Sequence, residues 1–234
     1  MHYFQYRDGE LYCEDVPLRE IAKTFGTPTY VYSGSTLLRH FRVFEEAFGD
    51  IDHLTCYSVK ANSNIAILNL LVREGSGLDI VSGGELYRAL VAGCPGNKIV
   101  YSGVGKTAKE MRYAMESDIL MFNVESSQEM DTLNEVAQRT NRRARISLRV
   151  NPDVDPRTHP YISTGLKKNK FGVAMDEARS LFGVAQKKEA LEVVGISCHI
   201  GSQITEVSPF VDALSRVLDF VHILRRDGIW VKYV

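Results

Sequence analysis

The run LTCYSVKAN at residues 54–62 predicts a short buried strand with Lys60 at its carboxyl end, because apolar, aromatic and β-branched residues dominate it. An ammonium group beside a buried strand must be paired, lose its proton or bond covalently to a carbonyl group. Schiff-base chemistry satisfies these constraints. The alternative is a solvated strand end, since most lysines lie at the surface.

Similar runs recur along the chain and alternate with helical patterns, which is typical of successive βα units and a parallel sheet. The predicted strands are residues 54–60, 78–81, 98–102, 119–124, 144–150 and 193–199. The predicted helices are residues 64–74, 84–92, 108–116, 128–140, 177–187 and 209–227. The pattern therefore predicts an α/β fold.

The end of the chain, WVKYV at residues 230–234, has the composition of an opening strand. Because a buried strand needs neighbours on both edges, we expect an incomplete (β/α)8 TIM-type barrel with about six βα units and the start of a seventh strand. An open doubly wound sheet is the alternative, since a terminal edge strand is ordinary in that fold.

The first part of the chain does not follow the alternation. Strand candidates at residues 11–13 and 30–32 flank a predicted helix at residues 17–25. We expect residues 1–35 to be the N-terminal segment of a second, β domain that further chain would complete. Residues 36–234 would form the truncated barrel.

Composition favours a globular protein with a small-molecule partner. Hydrophobic residues make up 44% of the chain, and 28 basic residues face 29 acidic ones with no basic block, so neither nucleic acid nor membrane is an expected partner. The four cysteines have no spacing that suggests a disulfide framework or a zinc site. No signal peptide or spanning segment is evident, and we expect a cytoplasmic location.

Polar groups follow nearly every predicted strand, and in a parallel barrel the functional groups cluster there. Loop starts are often polar in any protein, so the set carries more weight than each member. The candidates are Lys60, Asp79 with residues 82–85, Ser102 with Gly103, Asn123 with Glu125, Arg149 with Asn151, and His199 with residues 201–203.

Two local patterns have simpler interpretations. GVGKT at residues 103–107 lacks the glycine that a phosphate loop requires five positions before Gly105, so a tight turn with a solvated Lys106 is the preferred interpretation. Cys198 and His199 have no further ligand at a suitable spacing, so we expect no metal.

Three segments resemble the fold-type III pyridoxal-phosphate-dependent decarboxylases: YSVKAN at residues 57–62, LDIVSGGE at 78–85 and HIGSQ at 199–203. Gln203 and the segment HPYISTGLKKNKFG at residues 159–172 are more similar to the branch acting on diaminopimelate than to the ornithine branch. The resemblance covers essentially the whole chain, but only the N-terminal part of the family's length.

The resemblance implies pyridoxal 5'-phosphate as cofactor and gives five residues a role toward it. Lys60 would form the Schiff base and would be displaced by the amine of the substrate. His199 would stack on the ring, and Ser202 would donate to the phosphate. Asp79 would lie near Lys60 and the ring, and Arg149 at the pocket wall.

The implied activity is decarboxylation of meso-2,6-diaminopimelate to L-lysine by a homodimer. In the family, the acid that partners the ring nitrogen, a glycine-rich phosphate loop and a C-terminal β domain follow the region matched here. We therefore expect a truncated chain that is at best weakly active alone.

Other functions remain open at this point. An amino-acid racemase or another basic amino-acid decarboxylase of the same fold would also use a lysine at the first strand. A non-catalytic, single-domain barrel that binds pyridoxal phosphate would have a similar length. An α/β domain without a site is the remaining alternative, which the polar groups at so many strand ends disfavour.

Overall fold

The protein begins with a small antiparallel sheet, in a computed structural model that describes residues 2–154 and 171–234. Its strands are β1 (Phe4–Arg7), β2 (Glu10–Cys13) and β3 (Val16–Pro17), and helices α1 (Leu18–Phe25) and α2 (Gly34–Glu46) follow. The predicted strand at residues 11–13 and the predicted helix at 17–25 are confirmed.

Strands β1 and β3 were not predicted from the sequence, and two further features of this region also differ from the prediction. Residues 30–32 form no strand, and Tyr30 and Tyr32 are exposed. Aromatic and β-branched residues make a strand only where a partner strand offers hydrogen bonds, and none pairs with this segment in the described structure. Helix α2 was not predicted, because its exposed Val43 and Phe44 obscure the periodicity of its inward residues.

The rest of the described chain alternates strands and helices as the sequence predicts. The elements are β4 (Cys56–Ser58), α3 (Ile65–Arg73), β5 (Gly77–Ile80), α4 (Gly83–Val91), β6 (Ile99–Tyr101), α5 (Ala108–Glu116), β7 (Met121–Val124), α6 (Ser127–Arg139), β8 (Ala144–Asn151), β9 (Val173–Ala174), α7 (Met175–Gln186), β10 (Leu191–Cys198) and α8 (Ser208–Arg226).

The main sheet is parallel, and its strand order distinguishes the two predicted architectures. Strands β4, β5, β6, β7, β8 and β10 are neighbours in chain order. The short β9, which the sequence analysis did not predict, pairs with the end of β8 at Val150 and Asn151. A doubly wound sheet reverses direction at a switch point, whereas a barrel adds each strand beside the last. The described sheet has no reversal, so the barrel-type winding is confirmed.

The segment at residues 230–234 continues this winding. Tyr233 forms a parallel bridge with Gly195, and the amide of Ile196 donates to the Tyr233 carbonyl at 3.0 Å. The predicted seventh strand is thus present as a single bridge at the outer edge of β10.

The two faces of the sheet differ in polarity. In β8, Ile146, Leu148 and Val150 are fully buried and belong to the large apolar core that also includes helix residues such as Leu133 and Phe182. The intervening positions along the strand are polar, as in Ser147 and Arg149. Because successive side chains in a strand point to opposite faces, the core lies between sheet and helices and the other face is polar.

The small sheet is joined to α2 by a buried hydroxyl. Ser33 is only 4% exposed; its Oγ donates to Glu14 Oε1 at 2.7 Å and accepts from the Thr36 amide at 3.0 Å. The Ser35 amide also donates to Glu14, at 2.8 Å. Ser33 therefore caps α2 and holds the end of β2 against it.

We predict that Ser33→Ala lowers the free energy of unfolding by about 1–2 kcal/mol, because a helix cap and a partly buried hydrogen bond are lost together. Urea denaturation followed by circular dichroism measures the change. Ser127→Ala, at an exposed serine of α6, is the matched control and should change stability by less than about 0.5 kcal/mol. Equal effects of the two substitutions would contradict this role of Ser33.

Candidate functional site

The carboxyl ends of β4, β5 and β6 hold a carboxylate in a fixed orientation. Ser58 lies beside Asp79 in the register of β4 and β5, and its Oγ donates to Asp79 Oδ2 at 3.1 Å. Ser102, just after β6, donates to Asp79 Oδ1 at 2.6 Å. Each carboxylate oxygen thus accepts from one hydroxyl, which restricts rotation of the Asp79 side chain.

The next strand extends this network. Asn123 on β7 donates from Nδ2 to Ser102 Oγ at 3.0 Å. Its Oδ1 is buried and has no hydrogen-bond partner within the described residues. Asn123 therefore supports Asp79 through Ser102 and keeps one acceptor unused.

The hydrogen-bonded network of Asp79, Ser102 and Asn123 forms one side of the site and is called the Asp79 arm. A buried ion pair between Glu125 and Arg149 forms the other side and is called the Arg149 arm. Their side chains are 3% and 14% exposed, and Arg149 Nη1 lies 3.0 Å from Glu125 Oε1. The Gly103 amide donates to the same oxygen at 3.1 Å. The Arg149 guanidinium also lies over the Phe171 ring, 5.8 Å from its centroid. The pair connects the loops after β6 and β7 with strand β8.

Lys60 occupies a 3₁₀ turn, Val59–Ala61, that directly follows β4. The prediction that the strand reaches residue 60 is wrong, because β4 ends at Ser58 and the turn brings Lys60 into contact with solvent. Across residues 2–154 and 171–234, its amine has no hydrogen bond or ion pair. Lys60 is therefore not a buried ammonium group; what makes it a candidate is its position at the edge of a polar cavity.

A cavity of about 320 Å³ lies at the carboxyl edge of the sheet, and several of these side chains line it. Four of the five predicted site residues line it: Lys60, Asp79, Arg149 and His199. Ser202, the fifth, is not among the lining residues and is exposed on the loop between β10 and α8. The remaining lining residues are Cys56, Val100, Ser102, Asn123, Ser197 and Cys198.

The charges around the cavity favour a neutral imidazole at His199. Desolvation lowers the pKa of His199, and the positive charges of Arg149 and Lys60 lower it further. Asp79 and Glu125 oppose the shift. His199 is accessible from the solvent side, yet the surrounding protein removes enough water to disfavour the charged ring.

The two cysteines of the cavity are poor nucleophiles. Burial raises the pKa of Cys56 to about 12, with a further contribution from the charge of Asp79. Burial also raises the pKa of Cys198, although Arg149 opposes the shift. Because the thiolate is the reactive form, neither cysteine is expected to act as a nucleophile in this cavity.

Lys106 contradicts the prediction of a solvated lysine in the GVGKT turn. Its side chain is fully buried, and Nζ donates to Glu129 Oε1 at 2.6 Å and to the carbonyls of Gly103 and Asn123 at 2.6 and 2.8 Å. Burial raises the pKa of Glu129, and the charge of Lys106 acts against this shift.

A sequence pattern that was not used in the prediction indicates where Glu129 and two equivalent glutamates lie. The pattern Ser/Thr-x-x-Glu, typical of a helix N-terminus, occurs at residues 82–85, 107–110 and 126–129. In each case the serine or threonine caps the helix, and the glutamate accepts from the backbone of its own loop. Glu110 and Glu129 also reach the neighbouring loop, which the pattern alone does not predict.

The groups that this cavity presents match the chemistry of pyridoxal phosphate. Lys60 offers an amine to its aldehyde, and His199 offers a flat ring. The buried polar atoms Asn123 Oδ1, Arg149 Nε and Ser197 Oγ line the cavity without hydrogen-bond partners in the described part of the chain. Unsatisfied buried polar atoms are costly, and a polar ligand would satisfy them. The residues present therefore fit the group.

The described part of the chain meets the requirements of neither a metal site nor a membrane-spanning helix. Within the described ranges, no cluster of three or more histidine, cysteine, aspartate or glutamate side chains could hold a metal ion. None of the helices that the structure describes is long and apolar enough to cross a bilayer. The segment at residues 159–170, part of the motif that resembled the diaminopimelate branch, lies outside the described residues.

Comparison with known proteins places the chain among related sequences. A family model described as "Pyridoxal-dependent decarboxylase, pyridoxal binding domain" matches residues 35–234. The chain is 54% identical to the diaminopimelate decarboxylase of Aquifex aeolicus, over 99% of this chain and 55% of that protein. It is 52% identical to the diaminopimelate decarboxylase of Vibrio cholerae, over 100% of this chain and 56% of that protein. The chain thus spans about half the length of these curated relatives.

Solved structures have the same architecture. Diaminopimelate decarboxylase from Helicobacter pylori complexed with L-lysine has a TM-score of 0.89 at 44% identity, covering 92% of this chain and 55% of that one. Diaminopimelate decarboxylase from M. jannaschii in complex with L-lysine has a TM-score of 0.89 at 40% identity. The match covers 97% of this chain and 54% of that one. Lysine decarboxylase from Selenomonas ruminantium, at 22% identity with a TM-score of 0.82, shares the fold.

We predict that Lys60→Met raises the pKa of His199, since the charge of Lys60 lowers it, and that Asp79→Asn lowers it further. Titration of the His199 ring protons by NMR measures both shifts. Lys187→Met, at an exposed lysine after α7, should leave the titration unchanged. Shifts of the opposite sign would show that these charges do not face His199 as described.

Proposed function

The chain belongs to the pyridoxal-dependent decarboxylase family, and from that premise we propose that it supplies the lysine-bearing cofactor site of a lyase that converts meso-2,6-diaminopimelate to L-lysine. The names of the curated relatives support this substrate. The observation that carries the proposal is the position of the Lys60 amine, which has no hydrogen bond or ion pair with the described residues and lies at the edge of a polar cavity, at the end of the sheet where such folds place their active sites.

Pyridoxal phosphate, when bound, supplies an electron sink that accepts the electron pair released as an amino acid loses its carboxylate. Lys60 Nζ would hold the cofactor covalently, and it would be the amine that the amino group of the substrate displaces. No side chain within the described ranges holds the Lys60 amine by a hydrogen bond. The amine can therefore move toward and away from the cavity without breaking a hydrogen bond to the described residues.

Asp79, His199 and Arg149 would orient the bound ring. The two serine hydroxyls fix the Asp79 carboxylate, so its negative charge keeps one position in the cavity. A neutral His199 can lie flat against an aromatic ring without the cost of desolvating a charge. Arg149, held by Glu125, keeps Nε available as a donor. Ser202, on the loop after His199, would donate to the phosphate.

The wider organisation is part of the same proposal. Residues 1–35 contribute to a second, β domain, which the separate antiparallel sheet supports. Residues 36–234 form the cofactor-binding part, and the working enzyme is a homodimer. The four free cysteines support a reducing, cytoplasmic setting.

Incubation with pyridoxal phosphate followed by borohydride reduction and peptide mass mapping tests the proposal. We predict a pyridoxyl label on Lys60, because its amine is free beside the cavity. Adding meso-2,6-diaminopimelate before reduction should lower the label on Lys60, since its amino group competes for the same carbonyl. Pimelate has the same dicarboxylate chain without amines and should have no effect.

Lys60→Met and Lys109→Met are the matched controls, the second at an exposed lysine of α5. The first should abolish the specific label and the second should leave it intact. Labelling spread evenly over surface lysines would overturn the cofactor site. Equal effects of pimelate and diaminopimelate would overturn exchange with the substrate amine.

A further inference from the structure

The buried pair of Lys106 and Glu129 lies between the two arms of the candidate site. Lys106 Nζ donates to the carbonyl of Asn123, whose side chain supports Asp79 through Ser102. Glu129 Oε2 accepts from the amide of Glu125 at 2.9 Å, and the Glu125 side chain holds Arg149. The pair thus fixes the backbone at Asn123 and Glu125, from which the two arms extend.

The contacts of Lys106 use its full hydrogen-bonding capacity. An ammonium group has three donors, and those of Lys106 reach Gly103, Asn123 and Glu129, which belong to the β6–α5 loop, strand β7 and helix α6. Lys106 is not among the residues that line the cavity, whereas its partner Asn123 is. Lys106 would therefore act on a bound cofactor through its neighbours.

Stability alone is a weak explanation for a buried ion pair. The cost of removing two charges from water offsets much of their attraction, and well-packed apolar residues are often as stable in the same place. A charged pair with several directed hydrogen bonds differs from an apolar pair chiefly in the geometry that it imposes. Here that geometry sets the spacing of the loops after β6 and β7.

We propose that Lys106 and Glu129 are positioning residues that hold the Asp79 arm and the Arg149 arm of the cofactor site at a fixed separation. The inference rests on the proposed function, because the arms matter only if the cavity binds pyridoxal phosphate. Lys106 acts on Asp79 through Asn123 and Ser102, and Glu129 acts on Arg149 through Glu125.

The test compares Lys106→Met with the double substitution Lys106→Met and Glu129→Leu. Lys106→Met leaves a buried carboxylate unpaired, so the unfolding midpoint should fall. The double variant removes both charges, so the midpoint should recover. If the pair positions the site, both variants bind pyridoxal phosphate more weakly than the original chain, and the double variant does not recover. Its dissociation constant should be about ten-fold higher than that of the original chain, the effect expected from lost buried hydrogen bonds. Absorbance titration measures this constant.

Amide hydrogen exchange without cofactor gives an independent measure of the same ordering. The Glu125 amide, which donates to Glu129, should exchange about ten-fold faster in the double variant, while amides of the apolar core keep their rates. Lys109→Met, at the exposed lysine of α5, should change neither measurement.

The outcomes separate the two levels of the proposal. A double variant with the original dissociation constant would overturn the positioning role. An original chain that binds no pyridoxal phosphate would overturn the proposed function, and exchange at Glu125 would then decide alone whether the pair orders this backbone. Unchanged exchange at Glu125 would overturn the inference in either case.

Discussion

The parallel register of strands laid down in chain order is the constraint on which the rest of the structure depends. Strands β4 to β8 each pair with the next, and β10 pairs with β8, all in parallel, so their carboxyl ends meet at one edge. Residues far apart in the sequence, such as Lys60 and His199, therefore line one cavity. This edge is where parallel α/β folds collect functional groups from many loops, which explains how a site arises from residues that form no continuous motif.

The alternation of side chains along each strand makes a polar site compatible with a stable core. In β5, Leu78 and Ile80 are fully buried in the core against the helices, and Asp79 between them belongs to the opposite face. The polar face is ordered by hydrogen bonds between strands, from Asn123 through Ser102 to Asp79. The apolar face supplies the hydrophobic stabilisation, so the polar face is free to present unsatisfied atoms to a ligand.

Much of this could be predicted from the sequence, because it depends on local patterns. The six strands and six helices of the barrel region were placed near their observed positions, since period and turn residues specify them. The same local reasoning failed where a partner decides. Residues 30–32 have strand composition but pair with no strand in the described part of the chain. Lys106 has the sequence context of a surface lysine, but the fold places it against Glu129 of the next βα unit. Such contacts depend on how separate βα units pack together, and a local sequence pattern does not predict this.

A crystal structure of this chain with pyridoxal phosphate would show directly whether Lys60 carries the cofactor. We expect electron density that is continuous from Lys60 Nζ to the cofactor, with the ring in the cavity bounded by Asp79, Arg149 and His199. Cofactor bonded to a different lysine, or density outside the cavity at the carboxyl edge of the sheet, would contradict this expectation.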